Sequence, residues 1–341
     1  MATILKTKSI YFNDVCLLPR LGVVKSRKDV PNELYRVIVS PMVSVIGETF
    51  IIEAAKLGLS VALPRFIESV QKVKLATLFN QNKVNDSQLC FVSIGMNESD
   101  ESLKELLKNY SFQSKDWLID VGNGYVPQWE DVIKKLKYVL NNDLQNLMVG
   151  NIVTKEGLEY LVCNLKKYCN QLFIRTGQGN GSVCATSDNA AINRGQITEL
   201  MECSESEVYR DNEDHCFLVS DGGIKNAGYA LKAWGAGASY VLMGGYFVRS
   251  IEAETNIKGE HTYFGCASEK QNKLAGLDKH SEGKETKVNK DDLKPLSYLV
   301  KELWGSISSG ISYSGYTSLS EFIGNGVFEI KQNSLPPKNR I

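Results

Sequence analysis

A chain of 341 residues with 43% hydrophobic content is long enough to bury a large core, as one big α/β barrel or as two ordinary domains. Lysine plus arginine and aspartate plus glutamate each number 39, so no basic field exists to hold nucleic acid or an anionic membrane by charge alone, and any anionic ligand has to be bound locally. The N-terminal MATILKTKSIYFND lacks a continuous apolar core with a small-residue cleavage site, and no later segment approaches the ~18 apolar residues of a membrane span, so a cytoplasmic enzyme with neither nucleic acid nor membrane as partner is the expectation.

Eight cysteines, at positions 16, 90, 163, 169, 184, 203, 216 and 266, form no CxxC pair and no regular framework. That argues against zinc and against a secreted disulfide scaffold, and it predicts reduced thiols that are mostly buried.

Taken in chain order, residues 1–36 read as an extension over the domain that follows. Short β-branched or apolar runs ending in glycine, proline or a polar residue then appear at VIVSPM (37–42), SVALP (60–64), CFVSIG (90–95), WLIDVG (117–122), NLMVGNIV (146–153), QLFIRTG (171–177), CFLVSDGG (216–223) and SYVLMGG (239–245). Between most of them apolar residues recur at helical spacing, as in VPQWEDVIKKLKYVL (126–140) and TKEGLEYLVCNLKKY (154–168). Strand then helix, eight times over, predicts a single-domain α/β protein, a parallel (β/α)8 TIM barrel across 37–341. A doubly wound open sheet with extra strands is the competitor, and the near-even spacing favours closure. After the eighth run a loop or flap insertion is expected at about 254–292, with the charged LDKHSEGKETKVNKDD (277–292) as an exposed loop, followed by a C-terminal segment.

Active sites of such barrels sit at the carboxyl ends of the strands. The sixth run leads into GQGNGSVCATS (177–187), the seventh ends at Ser220-Asp221-Gly222-Gly223 and the eighth at Gly244-Gly245. Glycines at the last two places let backbone N–H groups approach a phosphate, so a phosphorylated ligand is expected. Tight turns alone would explain either motif in isolation, but the two fall on adjacent strands beside the cysteine loop. Asp221 would accept hydrogen bonds from a ribose diol or else cap the next helix. Cys184 would be a buried structural thiol elsewhere in a fold; at a barrel mouth, loop N–H dipoles and a nearby helix start favour the nucleophilic thiolate.

The ordered set DVGNGY (120–125), MVGNIVT (148–154), GQGNGSVCATS, SDGG, GAGASYVLMGG (235–245), YFGCASE (263–269) and SEGK (281–284) resembles the IMP dehydrogenase/GMP reductase family, from YFNDVCLLP (11–19) and SPM (40–42) through to SSGISYSG (308–315). The layout is similar to bacterial-type GMP reductase, with no regulatory pair of domains inserted in the barrel and no Arg-Tyr pair in the flap. The resemblance implies a purine nucleotide (GMP or IMP) as substrate, NADPH as cofactor, and Cys184 attacking C2 of the purine to give a covalent thioimidate. Thr186 and Glu282 match the proton-relay positions. Met42, Ser182, Asp221, Gly222, Gly223, Gly244, Gly245, Gly265, Cys266, Ala267 and Gly283 match substrate contacts. On the cofactor side the matches are Ser26, Arg27, Arg65, Asp120, Val121, Gly122, Gln178 and Gly179, with Ser309, Gly310, Ile311 and Ser312 offered by a neighbouring subunit of a homotetramer. Gly179, Gly181 and Cys184 would turn carbonyls to a potassium ion.

Three departures stand out: Asn180 replaces a proline of the loop, Pro64 precedes Arg65 where relatives often have histidine, and Phe264 stands where many have a tyrosine whose hydroxyl touches phosphate. A compact IMP dehydrogenase-like enzyme and a catalytically silent purine-nucleotide-binding barrel are the alternative readings.

Overall fold

The computed structural model describes residues 8–108, 115–140, 144–274, 276, 278, 281 and 283–331. After β1 (Val15–Leu17) come eight parallel strands: β2 (Val37–Val39), β3 (Ser60–Ala62), β4 (Cys90–Ile94), β5 (Asp116–Ile119), β6 (Asn146–Ile152), β7 (Gln171–Thr176), β8 (Cys216–Asp221) and β9 (Tyr240–Met243). They close into a barrel in sequence order, sealed where β2 pairs with β9 through Val37↔Val241, Ile38↔Leu242 and Val39↔Met243. Every expected run is a barrel strand, and the open-sheet alternative is excluded.

The strands read as near-continuous apolar runs because both faces are covered. One face points into the barrel and holds Ile38, Ala62, Phe91, Leu118, Met148, Phe173, Val219, Tyr240 and Leu242. Phe173 packs edge-on against Phe91 and against Tyr240, with ring centroids 5.2 Å apart in each pair. Side chains alternate along a strand, so two residues above Leu118, Phe173 and Val219 the same inward face presents Asp120, Arg175 and Asp221 at the mouth.

The other face packs on helices. Over 126–140 the helical spacing yields the helix Trp129–Val139, and over 154–168 the helix Lys155–Leu165 plus a 3-10 turn, Lys166–Tyr168. Thr154 caps the second helix by accepting from Gly157 N at 3.2 Å, while Leu158, Leu161, Val162 and Leu165 form its buried stripe.

Residues before the barrel are tied to it. Ile10 N donates to Thr198 Oγ1 at 2.8 Å, and Lys232 Nζ reaches the Phe12 carbonyl at 2.8 Å. After β9, β10 (Thr262–Phe264) and β11 (Glu285–Lys287) pair antiparallel, and β12 (Phe328–Ile330) pairs antiparallel with β1. The segment expected as an exposed loop at 277–292 therefore contains a strand: residues 285–287 are exposed but held by the β10 ladder. The expectation of mostly buried thiols also needs correction. All eight cysteines are free, but only Cys90, Cys203 and Cys216 are buried, and Cys16 and Cys163 are exposed. Among the described residues no helix is long and apolar enough to cross a membrane.

Candidate active site

A cleft of about 590 Å³ opens at the carboxyl ends of the barrel strands. Its floor is a buried ion network. Arg175 Nη1 meets Asp120 Oδ1 at 2.7 Å, while Arg175 Nη2 and Nε meet Asp221 Oδ2 at 2.8 and 3.1 Å. Asn151 Nδ2 donates to the same Asp221 oxygen at 2.8 Å and to the Gly177 carbonyl at 2.7 Å. Burial alone would raise the Asp120 carboxyl, but Arg175 and Arg65 hold it below its usual value. Burial would likewise lower the Arg175 guanidinium, and Asp221 and Asp120 drive it up instead. The next helix, Ala227–Gly235, is capped by Asn226, whose Oδ1 accepts from Tyr229 N at 3.1 Å, so Asp221 is not its cap and faces the cleft.

From β7 the chain turns at Gly177, where φ is +117° and an added Cβ would lie 2.1 Å from the Asp221 carbonyl. The loop then closes on itself, with Cys184 N donating to Gly181 O at 3.0 Å. The Cys184 thiol, half-buried, lies 3.2 Å from Thr186 Oγ1. Opposite it runs the segment after β9: Cys184 forms an antiparallel bridge with Gly283, Gly283 a parallel one with Ser268, and Lys284 N donates to Val183 O at 2.8 Å. Glu282 lies outside the described residues; its neighbour Gly283 lines the cleft.

On the far wall Gly222 and Gly223 have φ of +87° and +75°, the left-handed region that glycine enters freely. Across from them an added Cβ at Gly244 would lie 2.7 Å from Tyr263 Oη and 2.8 Å from Met42 Sδ, and one at Gly245 would lie 3.6 Å from Ser182 Oγ. Side chains on these glycines would fill a pocket that the backbone, Ser182 and Tyr263 surround. Burial, then the charge of Asp221, raises the Tyr263 phenol against the hydrogen bond it shares with Ser182, which keeps it a donor. Phe264 is buried, so at this place the hydroxyl comes from the residue before it. If phosphate binds here, Tyr263→Phe is expected to raise the nucleotide KM about tenfold or more, from a charge-assisted bond of about 1.5–3 kcal/mol, with kcat little changed in steady-state kinetics.

Gly265, Cys266 and Ala267 also line the cleft. Burial pushes the Cys266 thiol up to about 12, and its Sγ donates to the Pro41 carbonyl at 3.3 Å, so it stands as a protonated thiol. On the remaining side lie Asp120, Val121, Gly122, Gln178 and Gly179. Gln178 Nε2 donates to Gly122 O at 2.7 Å, and Arg65 Nη1 to Asp120 O at 2.6 Å. Ser26, Arg27 and Ser309–Ser312 do not line this cleft. They meet elsewhere, with Arg27 Nη1 on Ser309 Oγ at 2.9 Å, and Ile311 belongs to the core. Among the described residues no group of three or more His, Cys, Asp or Glu could hold a metal ion.

Arg175, Asn151 and Tyr263 are cleft residues that the sequence reading did not single out. A signal existed for the first two: each is a polar intrusion near the end of an apolar run, on a strand of a fold whose strand ends carry the chemistry.

Fold and site together define a (β/α)8 barrel with a cysteine-bearing loop and two glycine turns facing one cleft. The profile of the IMP dehydrogenase / GMP reductase domain matches residues 10–335, and the chain belongs to that family. It is 26% identical to GMP reductase of Onchocerca volvulus over 96% of this chain and 92% of that protein. Similarity to GMP reductase 2 of Homo sapiens is 28% identity over 91% and 90% of the two chains, and to GMP reductase of Serratia proteamaculans (strain 568) 25% over 93% of each.

Proposed function

We propose that this protein is a GMP reductase, catalysing GMP + NADPH + 2 H⁺ → IMP + NH₄⁺ + NADP⁺. The observation that carries the reading is the placement of Cys184 Sγ 3.2 Å from Thr186 Oγ1, in the same cleft as the glycine turns of β8 and β9. The turns and Tyr263 take the phosphate, Asp221 the ribose, and Met42 lies against the base. The Cys184 thiolate then attacks C2, forming an S–C2 bond, and the bond from C2 to the exocyclic amine breaks as ammonia leaves, giving a thioimidate. Thr186, with Glu282, delivers the proton that the leaving amine needs. Expulsion of the thiolate from the reduced C2 centre releases IMP.

The wall at Asp120–Gly122 fits a flat ring: an added Cβ at Gly122 would have nothing within 4 Å, and Gln178 and Arg65 hold the backbone beside it. A nicotinamide bound there supplies hydride to C2. Ser26, Arg27 and Ser309–Ser312, away from this cleft, would complete the cofactor site of a neighbouring subunit in a tetramer. The carbonyls of Gly179, Gly181 and Cys184 would hold a potassium ion; that of Gly181 also accepts the Cys184 N–H, which leaves its second lone pair for the ion, and no step is assigned to it.

The test is a spectrophotometric assay of purified protein with GMP and NADPH, then with IMP and NAD. NADPH oxidation that depends on GMP supports the reading; NAD reduction with IMP, or no turnover in either direction, overturns it. The relay has its own check. Glu282→Gln is expected to slow GMP turnover on the order of a hundredfold, while formation of a Cys184 adduct from IMP and NADP⁺, followed by mass spectrometry, is largely retained. Equal loss of both would withdraw the relay role.

A further inference from the structure

Behind the cleft runs the helix Gln196–Ser204, whose first turn buries two polar side chains, Gln196 at 5% exposure and Glu199 at 0%. Three residues apart, they share one face, and that face is turned to the loops of the site. An added Cβ at Gly177 would lie 3.4 Å from Glu199 Oε1, and one at Gly223 would lie 2.5 Å from Gln196 Nε2. On β8, Val219 points into the barrel, so Ser220 points out towards this helix layer. Neither oxygen of Glu199, nor Gln196 Oε1, nor Ser220 Oγ has a hydrogen-bond partner among the described residues. A fully buried carboxylate without a partner is strongly disfavoured as the anion, and such a group takes up a proton instead.

The surrounding charges do not reverse this. Burial raises the Glu199 carboxyl well above its usual value; Arg194 opposes that, and Asp221 adds to it. Arg194 is itself engaged by Glu202 Oε2 at 2.6 Å. Arg175 on β7 is committed to Asp120 and Asp221. From the neighbouring helices, Glu156 acts on Cys203 one turn further along, Lys232 is bound to the Phe12 carbonyl, and Tyr209 bonds to Leu218 N and Ser239.

We propose that Glu199 is a positioning residue of this site: as a neutral acid it packs under the Gly177 turn, beside Gln196 under the Gly223 turn, and so supports the loops in the geometry that takes a nucleotide, and its ionisation opposes that ligand. Ionised, it would place a second negative charge beside Asp221, under the turns that receive the phosphate. A bound anion raises the Glu199 proton affinity, so by linkage affinity falls as pH rises through the value at which the ligand-free carboxyl ionises. The proposal rests on the nucleotide-binding part of the function proposed above.

The experiment measures the Kd for GMP from pH 6.5 to 9.5 on the whole protein and on Glu199→Gln, with Glu199→Met, neutral and of similar size, as a second variant. Titration of the ligand or of Cys184 is common to all three proteins, so the difference isolates Glu199. The wild-type Kd is expected to rise across the range about five- to tenfold more than that of Glu199→Gln, and the melting temperature of Glu199→Gln to gain on the wild type as pH rises. Parallel Kd profiles overturn the proposal, and so does failure of both neutral variants to fold or to bind at pH 6.5. Absence of GMP binding to the wild type at every pH overturns the nucleotide reading itself, a result distinct from parallel profiles.

Discussion

Cys184→Ala is expected to abolish NADPH oxidation in the presence of GMP while leaving the nucleotide Kd within a fewfold of the wild type. The proposed phosphate and ribose partners, Gly222, Gly223, Gly244, Gly245, Tyr263 and Asp221, lie on β8, β9, β10 and the turns after the barrel strands, away from the thiol's own hydrogen bond to Thr186. The thiol is proposed to form a bond to C2 that water cannot replace, so the loss should be the whole covalent pathway, several powers of ten in kcat, rather than a shift in KM. Calorimetric titration with GMP beside the assay separates the two. Substantial residual turnover in a variant that still binds would sink the covalent mechanism.

The second large effect concerns the floor. Arg175→Met is expected to destabilise the protein by about 3–5 kcal/mol, because removing one partner of a buried ion pair leaves the others uncompensated. Here two carboxylates, Asp120 and Asp221, would face each other without the guanidinium that now stands between them. The sign with pH is distinctive. In the wild type Asp120 is held below its usual value of 3.8, so its contribution is present at neutral pH and is lost only as pH falls through that lowered value. In the variant Asp120 loses the guanidinium that holds its carboxyl down while burial still pushes it up, so the defect is full at neutral pH and shrinks as acid protonates it. Chemical denaturation at pH 7 and pH 5 checks this: the gap between the two proteins should narrow at pH 5, and a gap independent of pH would mean that Arg175 contributes packing rather than charge.

The barrel was legible because its strands are covered on both faces and so appear as unbroken apolar runs, and because glycine is the residue that strand ends approaching a ligand require. Cys184 and the turns at 222–223 and 244–245 were legible for the same reason. Arg175 was not, since its partners lie 55 and 46 residues away, at positions that converge only when the barrel closes. Glu199 was hidden differently. A glutamate on an amphipathic helix reads as part of the solvent face, and nothing local shows that its helix lies under two loops. Tyr263 was not legible either: it lines the cleft while Phe264, where the resemblance places a hydroxyl, is buried, because alternate residues of a strand point to opposite faces. The cluster at Ser26, Arg27 and 309–312 came from resemblance alone, and a single chain does not bring it to the cleft.

The aromatic packing of Phe91, Phe173 and Tyr240 makes the barrel a blind well rather than a tunnel. A well with one opening has a single route for traffic. Whatever binds against the floor at Arg175 and whatever binds along the wall at Val121 and Gly122 enter and leave through that same mouth. For the proposed reaction this confines both reactants to one chamber, with no exit through the far end of the barrel.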